Sequence, residues 1–437
     1  MTNQVPIQTI VAKRMLARLQ NKLPMTTHAN KDFQADLADS QKRSGGIINI
    51  NKPPLFNVRA GEIMDIQGVT IPTVSTSLNM FGVDVSASQL DLQITYDQVQ
   101  SGMIDGVLDG AASALAAKIE ADGFALALKV ANVVGTPGTA ITSPDVLATG
   151  GAYITSNGGM IGGGNRIGLL NSFQNASFAT GVKNYFNPVN TVNKAYADGL
   201  LGNGYGFDLY DEPVAGTFTA GVYGGTPLTN GANQSGNTLV TDGWTVSTTT
   251  LNVGDAFTID TMFNRNPQTG LSTGALKNFV VATKTTTDAA GNSTITLGED
   301  GIILSGPRRN VTNAAGGATF ADNLTITVIS GASGVTSRQS LLYDKKAFTF
   351  AMVPLAKVPN GMGVMSTVVN DKMSGLSVSM KEGYDIANNQ RVVRFDVLYS
   401  WLETYPQIAV RILGLSLIHI SEPTRLRRIS YAVFCLK

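Results

Sequence analysis

The side chains most often used to attack a substrate, shuttle a proton or hold a metal are cysteine, histidine and paired carboxylates. This chain is poor in them. It has one cysteine, Cys435, and two histidines, His28 and His419. Cys435 and His419 both fall within residues 415–437, so residues 1–414 keep only His28 and can build neither a Cys–His nucleophile nor a histidine metal cluster. Carboxylates can work without histidine, and the string GFDLYDEP brings Asp208, Asp211 and Glu212 together. A paired-carboxylate hydrolase needs a second acid facing the first, and no second acidic cluster offers itself; a polar hinge would use the same residues. Gly158-Gly159 and Gly162-Gly163-Gly164 invite a phosphate-loop reading, yet the spacing matches neither GxGxxG nor GxxxxGK[ST] and no lysine follows to reach a phosphate. A flexible loop is the default there. No DxDxDG run exists for calcium. The expectation is no catalytic, cofactor or metal site, and a chain that is not an enzyme.

With 437 residues the chain is long for one core, and about 150 residues per domain suggests roughly three. Lys plus Arg number 32 against 31 Asp plus Glu, a net charge of +1, which excludes a polybasic nucleic-acid binder. Charged residues make up 14%, against the usual quarter or so. So little charge suits a surface covered by something other than water. No apolar run reaches the roughly 18 residues of a membrane span, and no signal-peptide core is expected at the N-terminus.

The elements follow from periodicity. Over residues 5–23, Ile7, Ile10, Val11, Met15, Leu19 and Leu23 recur at helical spacing with Lys13, Arg14, Arg18 and Lys22 opposite, predicting an amphipathic arm (1–45) docked on its own or a neighbouring subunit. Residues 46–96 turn to a period of two. Ile48, Ile50, Phe56 and Val58 flank Pro53-Pro54, and Leu90, Leu92, Ile94 and Tyr96 alternate with polar residues. That stretch is thin in core residues and reads as a protruding two-stranded loop, which needs something to lie on. Near its Ala60-Gly61 turn, Arg59, Glu62 and Asp65 are candidates for contact with a neighbouring subunit. A long helix is expected from Asp97 to Val133 within a 97–138 segment, with Thr95 and Gln98 as a capping box. Gly102, Gly106 and Gly110 lie four apart on it, permitting a bend or a close approach, or being merely tolerated.

Residues 139–212 are mixed and glycine-rich. From 213 to 340 composition shifts to Thr, Gly, Asn and Val, with alternation around Phe257 and Ile259, Ile295 and Leu297, and Leu324, Ile326 and Val328. Turn signals stand at Asn230-Gly231, Gly291-Asn292 and Asp300-Gly301. A small antiparallel sandwich or barrel inserted as its own domain is expected. Alternation returns at Leu376–Met380, Val393–Trp401 and Ile408–Ile412, the strands of the domain that the insert interrupts (341–414).

Residues 415–437 read LSLIHISEPTRLRRISYAVFCLK, which resembles a translated sequencing-library adapter with Leu426, Arg427 and Arg428 filling the index codons. Without that segment the chain carries 28 basic and 30 acidic groups.

The order of elements resembles the major capsid (coat) proteins of short-tailed bacteriophages. INKPPLFNVR, LKVAN, NYFNP, GFDLYDEPV, GDAFTID, LLYDKKAFTFAMVPL and FDVLYSWLETYPQIAVRIL carry the likeness across nearly all of residues 1–414. The resemblance implies an α+β shell fold shared by tailed-phage and herpesvirus capsids, with an inserted all-β immunoglobulin-like domain. By the same resemblance 46–96 is the E-loop, the long helix is the spine of the peripheral domain, and 139–212 and 341–414 build the axial and peripheral domains. The implied function is self-assembly into an icosahedral virion shell around double-stranded DNA, in hexamers and pentamers. Scaffolding protein and portal are the implied partners, assembly falls in the bacterial cytoplasm, and no membrane or cofactor is involved. The rival reading, from the Thr/Asn-rich insert alone, is an extracellular β-rich adhesin or binding module.

Overall fold

A computed structural model describes residues 7–32, 47–56, 61–62, 64, 66, 68–69, 71–88, 103–159, 165–182, 202–298, 301–359, 363–371, 374–388 and 390–416. The N-terminal helix Ile7–Gln20 buries Val11, Met15 and Leu19 on its own chain, in the same core as Ala112, Leu115 and Ile119 of the helix Met103–Ala125. Its basic face bonds to that helix, with Arg18 Nε 3.0 Å from Asp109 and Lys22 Nζ 2.5 Å from Ser113.

The long helix is shorter than its periodicity predicts. It gives way after Ala125 to one tight turn, Leu126–Lys129, and Val133-Val134 leaves it to pair in parallel with Arg411-Ile412. The apolar stripe runs on past Ala125, but β-branched valines satisfy a sheet edge better than a helix end, so tertiary pairing overrides the pattern. The expected capping box and the strand through Leu90–Tyr96 lie outside the described residues. A strand that alternation did not single out, Asn79–Ser88, pairs along its whole length with the strand Gln390–Glu403. Gly82 permits that approach, since a Cβ there would meet the Asp396 side chain at 2.4 Å. The protruding part of the 46–96 loop therefore ends before Asn79.

Two sheets carry the body of the chain. In the central sheet the strand Thr336–Asp344 lies between Arg166–Leu170 and Ala409–Ser416, with Phe207–Asp211 beyond Arg166–Leu170. Leu169, Leu341, Leu342, Tyr343, Val410 and Ile412 are fully buried, as near-continuous apolar runs should be when both faces are covered. The second sheet has the order Phe348–Met352, Gln390–Glu403, Leu376–Asp385, Met365–Asp371. Phe350 packs its ring at a tilt against both Tyr399 and Trp401 on it, and Trp401 Nε1 donates to Ile119 O of the long helix at 3.0 Å.

Between the central strands hangs a β domain with a core of its own, including Leu239, Trp244, Phe257, Ile259, Ile295 and Ile326. Its two main sheets are antiparallel: Ser293–Thr296, Thr238–Trp244 and Gly225–Thr229 in one, Ser272–Val280, Ala256–Arg265 and Val311–Thr312 in the other. The strand Thr336–Asp344 pairs from its first residue with Thr217–Thr219, so the central sheet already claims residues assigned from composition to the end of the insert. Gly158 and Gly159 close the helix Asp145–Ser156: Gly158 takes a φ of 91°, and the Gly159 amide donates to Ile154 O at 2.8 Å, a left-handed helix stop. Gly162–Gly164 lie outside the described residues.

Candidate functional site

The strands Ile47–Asn51 and Thr73–Ser77 pair as an antiparallel hairpin whose base is anchored on the body of the chain. Ile48 and Ile50 point inward onto Ala351 and Leu402, a burial stabilising by about 1.5–3 kcal/mol per side chain. Thr76 Oγ1 adds a 2.8 Å hydrogen bond to Ser400 Oγ. Beyond Leu55 the described apolar side chains turn to the surface. Phe56, Met64, Ile66, Val69 and Ile71 are all more than half exposed, Ile66 at 83%. Scattered exposed apolar groups are ordinary, but a succession along one projecting loop marks an interaction surface. Glu62 is exposed near the Gly61 turn, where Gly61 takes a φ of 91°. Arg59 and Asp65, the other two candidate contact residues, lie outside the described residues. Of the three helix glycines, Gly106 and Gly110 sit in the exposed first turns of the long helix, and Gly102 lies outside the described residues.

The acids of GFDLYDEP do not converge. Asp208 lies by the His28–Tyr210 ring stack, whose centroids are 4.4 Å apart. Asp211 accepts from Ser172 Oγ at 3.1 Å. Glu212 turns inward to Glu120 of the long helix. Sequence reading missed this second acid, although a carboxylate one residue after Ile119 on an apolar stripe is the signal that would find it. Glu120 accepts from Met25 N (2.8 Å), Thr26 N (3.0 Å) and Thr26 Oγ1 (2.6 Å). Both acids are 1% exposed, so no substrate reaches them. The pair clamps the N-terminal arm, the long helix and the central sheet together. Burial, and then the charge of Lys345, lowers the pKa of His28 and favours a neutral imidazole packed as structure.

A second polar joint holds the β domain. Asp255 accepts from Asn252 N (2.7 Å), Gly221 N (3.0 Å) and Ser330 Oγ (2.9 Å). Arg411, fully buried in the central sheet, donates to Gly254 O and lies over the Phe218 ring. Burial pushes Arg411 down to about 10, while the Asp255 charge opposes that shift. Among the described residues no group of His, Cys, Asp and Glu could hold a metal, and no helix is long and apolar enough to cross a membrane.

A rigid two-sheet body, a projecting loop lined with unburied apolar side chains and a hung β domain are the parts of a shell-building subunit. The family model described as P22 coat protein (gene protein 5) matches residues 1–414, and the chain belongs to that family. It is a major capsid protein with the mixed α+β shell fold of tailed phages, and it self-assembles into the capsid of the virion. That membership sets aside the adhesin reading. No curated protein matches the sequence. Solved structures similar to it include Mycobacterium phage Che8, at 9% identity, TM-score 0.41 and coverage of 88% of this chain and 89% of that one. The capsid of Ralstonia phage GP4 gives 8%, 0.42, and 88% and 86%. A virus-like particle from Pyrococcus furiosus gives 6%, 0.38, and 92% and 98%.

Proposed function

We propose that the subunit closes its shell by laying the hairpin loop on a neighbouring subunit, in hexamers and pentamers assembled in the host cytoplasm with a scaffolding protein and a portal. The observation that carries this reading is the succession of exposed apolar side chains Phe56, Met64, Ile66, Val69 and Ile71 on a loop whose described residues find a core only at its base. Burying such surface on a second copy supplies the hydrophobic gain that the isolated chain forgoes. Arg59, Glu62 and Asp65 set the register of that contact. The shell encloses double-stranded DNA without reading its sequence, and the protein performs no catalysis. The β domain is immunoglobulin-like, as its two antiparallel layers around one core suggest. Residues 415–437 are adapter-derived, in keeping with a family match that covers 1–414; Leu415 and Ser416 only extend the last strand, and 417–437 have no part in the shell.

Co-expression with the neighbouring phage genes, followed by sedimentation and negative-stain microscopy, tests the reading. Closed particles are expected. A monodisperse monomer under every such condition would sink it.

A further inference from the structure

The second sheet carries two open edges. Four of its strands lie side by side in the order Asn79–Ser88, Gln390–Glu403, Leu376–Asp385, Met365–Asp371, each antiparallel to the next. Among the described residues no strand pairs with the outer side of Asn79–Ser88 or of Ser366–Asn370. Exposed edges are normally blunted by lysine, proline or a bulge, because unpaired amides and carbonyls recruit another strand. Neither edge here has such a device. The segments NMFGVDVSAS and STVVN contain no lysine, arginine or proline, and both strands keep an unbroken register with their inner neighbours. Asp84, the one charge on either segment, lies 3.8 Å from Arg394 of its own sheet.

The rows of side chains also stop short at these edges. Val83, Phe395, Met380 and Thr367 stand in register across the four strands, on the face that shares a core with the two helices. Phe395 and Met380 are buried, whereas Val83 and Thr367 at the ends of the row are half-buried. On the opposite face Asp84, Arg394, Lys381 and Ser366 form the matching row.

We infer that Asn79–Ser88 of one subunit takes the Met365–Asp371 strand of a second copy as its next strand, so that one sheet runs from subunit to subunit. Four antiparallel strands alternate in direction, so Met365–Asp371 runs opposite to Asn79–Ser88. A second copy in the same orientation therefore offers its edge antiparallel. Both rows then continue: Val83 of one copy meets Thr367 of the next, and Asp84 meets Ser366. Half-buried β-branched side chains cover each other, and the unpaired main-chain groups find partners. The contact is head-to-tail, the type that repeats around a ring and closes it. Pairing of Asn79–Ser88 with its own copy about a two-fold would instead set two Asp84 carboxylates side by side. The inference rests on self-assembly of the subunit and not on where its hairpin loop lies.

Cysteine pairs in shells of the full chain test the assignment, in a Cys435→Ser background that leaves no other thiol. Asp84→Cys/Ser366→Cys is expected to form disulfides between copies on mild oxidation, seen as a ladder of multimers on a non-reducing gel. Within one subunit the two positions are three strand spacings apart, about 14 Å, beyond the roughly 7 Å reach of a disulfide, so the ladder reports only contacts between copies. Asp84→Lys/Ser86→Lys supplies the missing edge protection; it is expected to melt like the parent as a monomer and to cut shell yield at least about tenfold. Ser86→Lys alone serves if the double variant melts early. Cysteine-variant shells that give no ladder overturn the assignment, as do normal shells from the lysine variant. A ladder from Asp84→Cys alone gives the edge to a second Asn79–Ser88 and overturns it as well. So does a ladder from Asp84→Cys/Met64→Cys but not from Asp84→Cys/Ser366→Cys, which gives the edge to a neighbour's hairpin and leaves the hairpin reading standing.

Discussion

Glu212 shares a hydrogen bond with Glu120 in the interior of the subunit, a contact that two ionised carboxylates could not sustain. Three donors hold Glu120 as the acceptor, while Glu212 keeps the proton. Burial first, and the Glu120 charge second, push Glu212 up to about 8.

This fixes the sign of a pH effect. The folded state holds a proton on Glu212 that the unfolded chain releases near the ordinary glutamate value, so folded stability falls as pH rises from about 4.5 to about 8. Melting temperatures across that window should decline in the parent. Glu212→Gln keeps a donor to Glu120 and should flatten the decline. An equally steep decline in the variant would place the proton elsewhere.

Reversing the charge at Glu62 should weaken assembly and leave monomer melting unchanged, because the residue is exposed on the loop. A surface ion pair is worth only about 0–1 kcal/mol, but a shell repeats it at every subunit. Met64→Ser and Ile66→Ser should act in the same direction and more strongly. Earlier melting of the monomer would assign the loop to the subunit's own core.

Arg411→Met removes the cation opposite Asp255 at the root of the β domain. Losing the buried cation whose charge favours the Asp255 carboxylate should destabilise the fold, and Arg411→Met/Asp255→Asn should recover part of the loss. Urea unfolding measures both. A single-variant loss below about 1 kcal/mol would mean that packing, not this pair, holds the domain in place.

Replacing Gly106 and Gly110 with alanine should stabilise the long helix by about 1 kcal/mol each. Among the described residues a Cβ at either position meets nothing within 4 Å, so no packing seen there accounts for these glycines. We propose that the long helix bends as the shell fills and expands, and expect the pair, with Gly102→Ala, to hinder that change. Normal expansion of the triple variant would refute a hinge here. Gly123→Ala is the control: its Cβ would meet Trp401 at 2.7 Å, and it should destabilise.

Truncation after Ser416 should leave melting and assembly unchanged. Ser416 still pairs with Ser337 at the end of the central strand, so the cut belongs after it rather than after Gly414. A loss of several kcal/mol would make the tail part of the fold.

Alternation made the strands at Ala256–Arg265, Leu376–Asp385 and Gln390–Glu403 legible, because each buries one face or a run within it. It failed at Val133-Val134, where a two-residue strand exists only because Arg411 and Ile412 offer it an edge. It also passed over Asn79–Ser88, whose small and polar residues around Phe81 and Val83 carry a weak pattern that long-range pairing completes. The acid pair was half legible. Glu212 stood out in its cluster, whereas Glu120 becomes a partner only when the helix docks on the sheet.

The central sheet sets a schedule for synthesis. Leu341 pairs with Leu169, and Leu342 with both Gly168 and Val410. At about 5–20 residues per second, Leu169 leaves the ribosome roughly 10–30 s before its partner strand is made. During that wait the side of Arg166–Leu170 that will meet Thr336–Asp344 is an open apolar edge, while Phe207–Asp211 can already take the other side. The β domain, with its own core, is complete before Thr336 is translated. Once folded, it draws together the two ends of a chain segment that would otherwise be a long open loop, so the strand emerging after it starts close to the edge it must join.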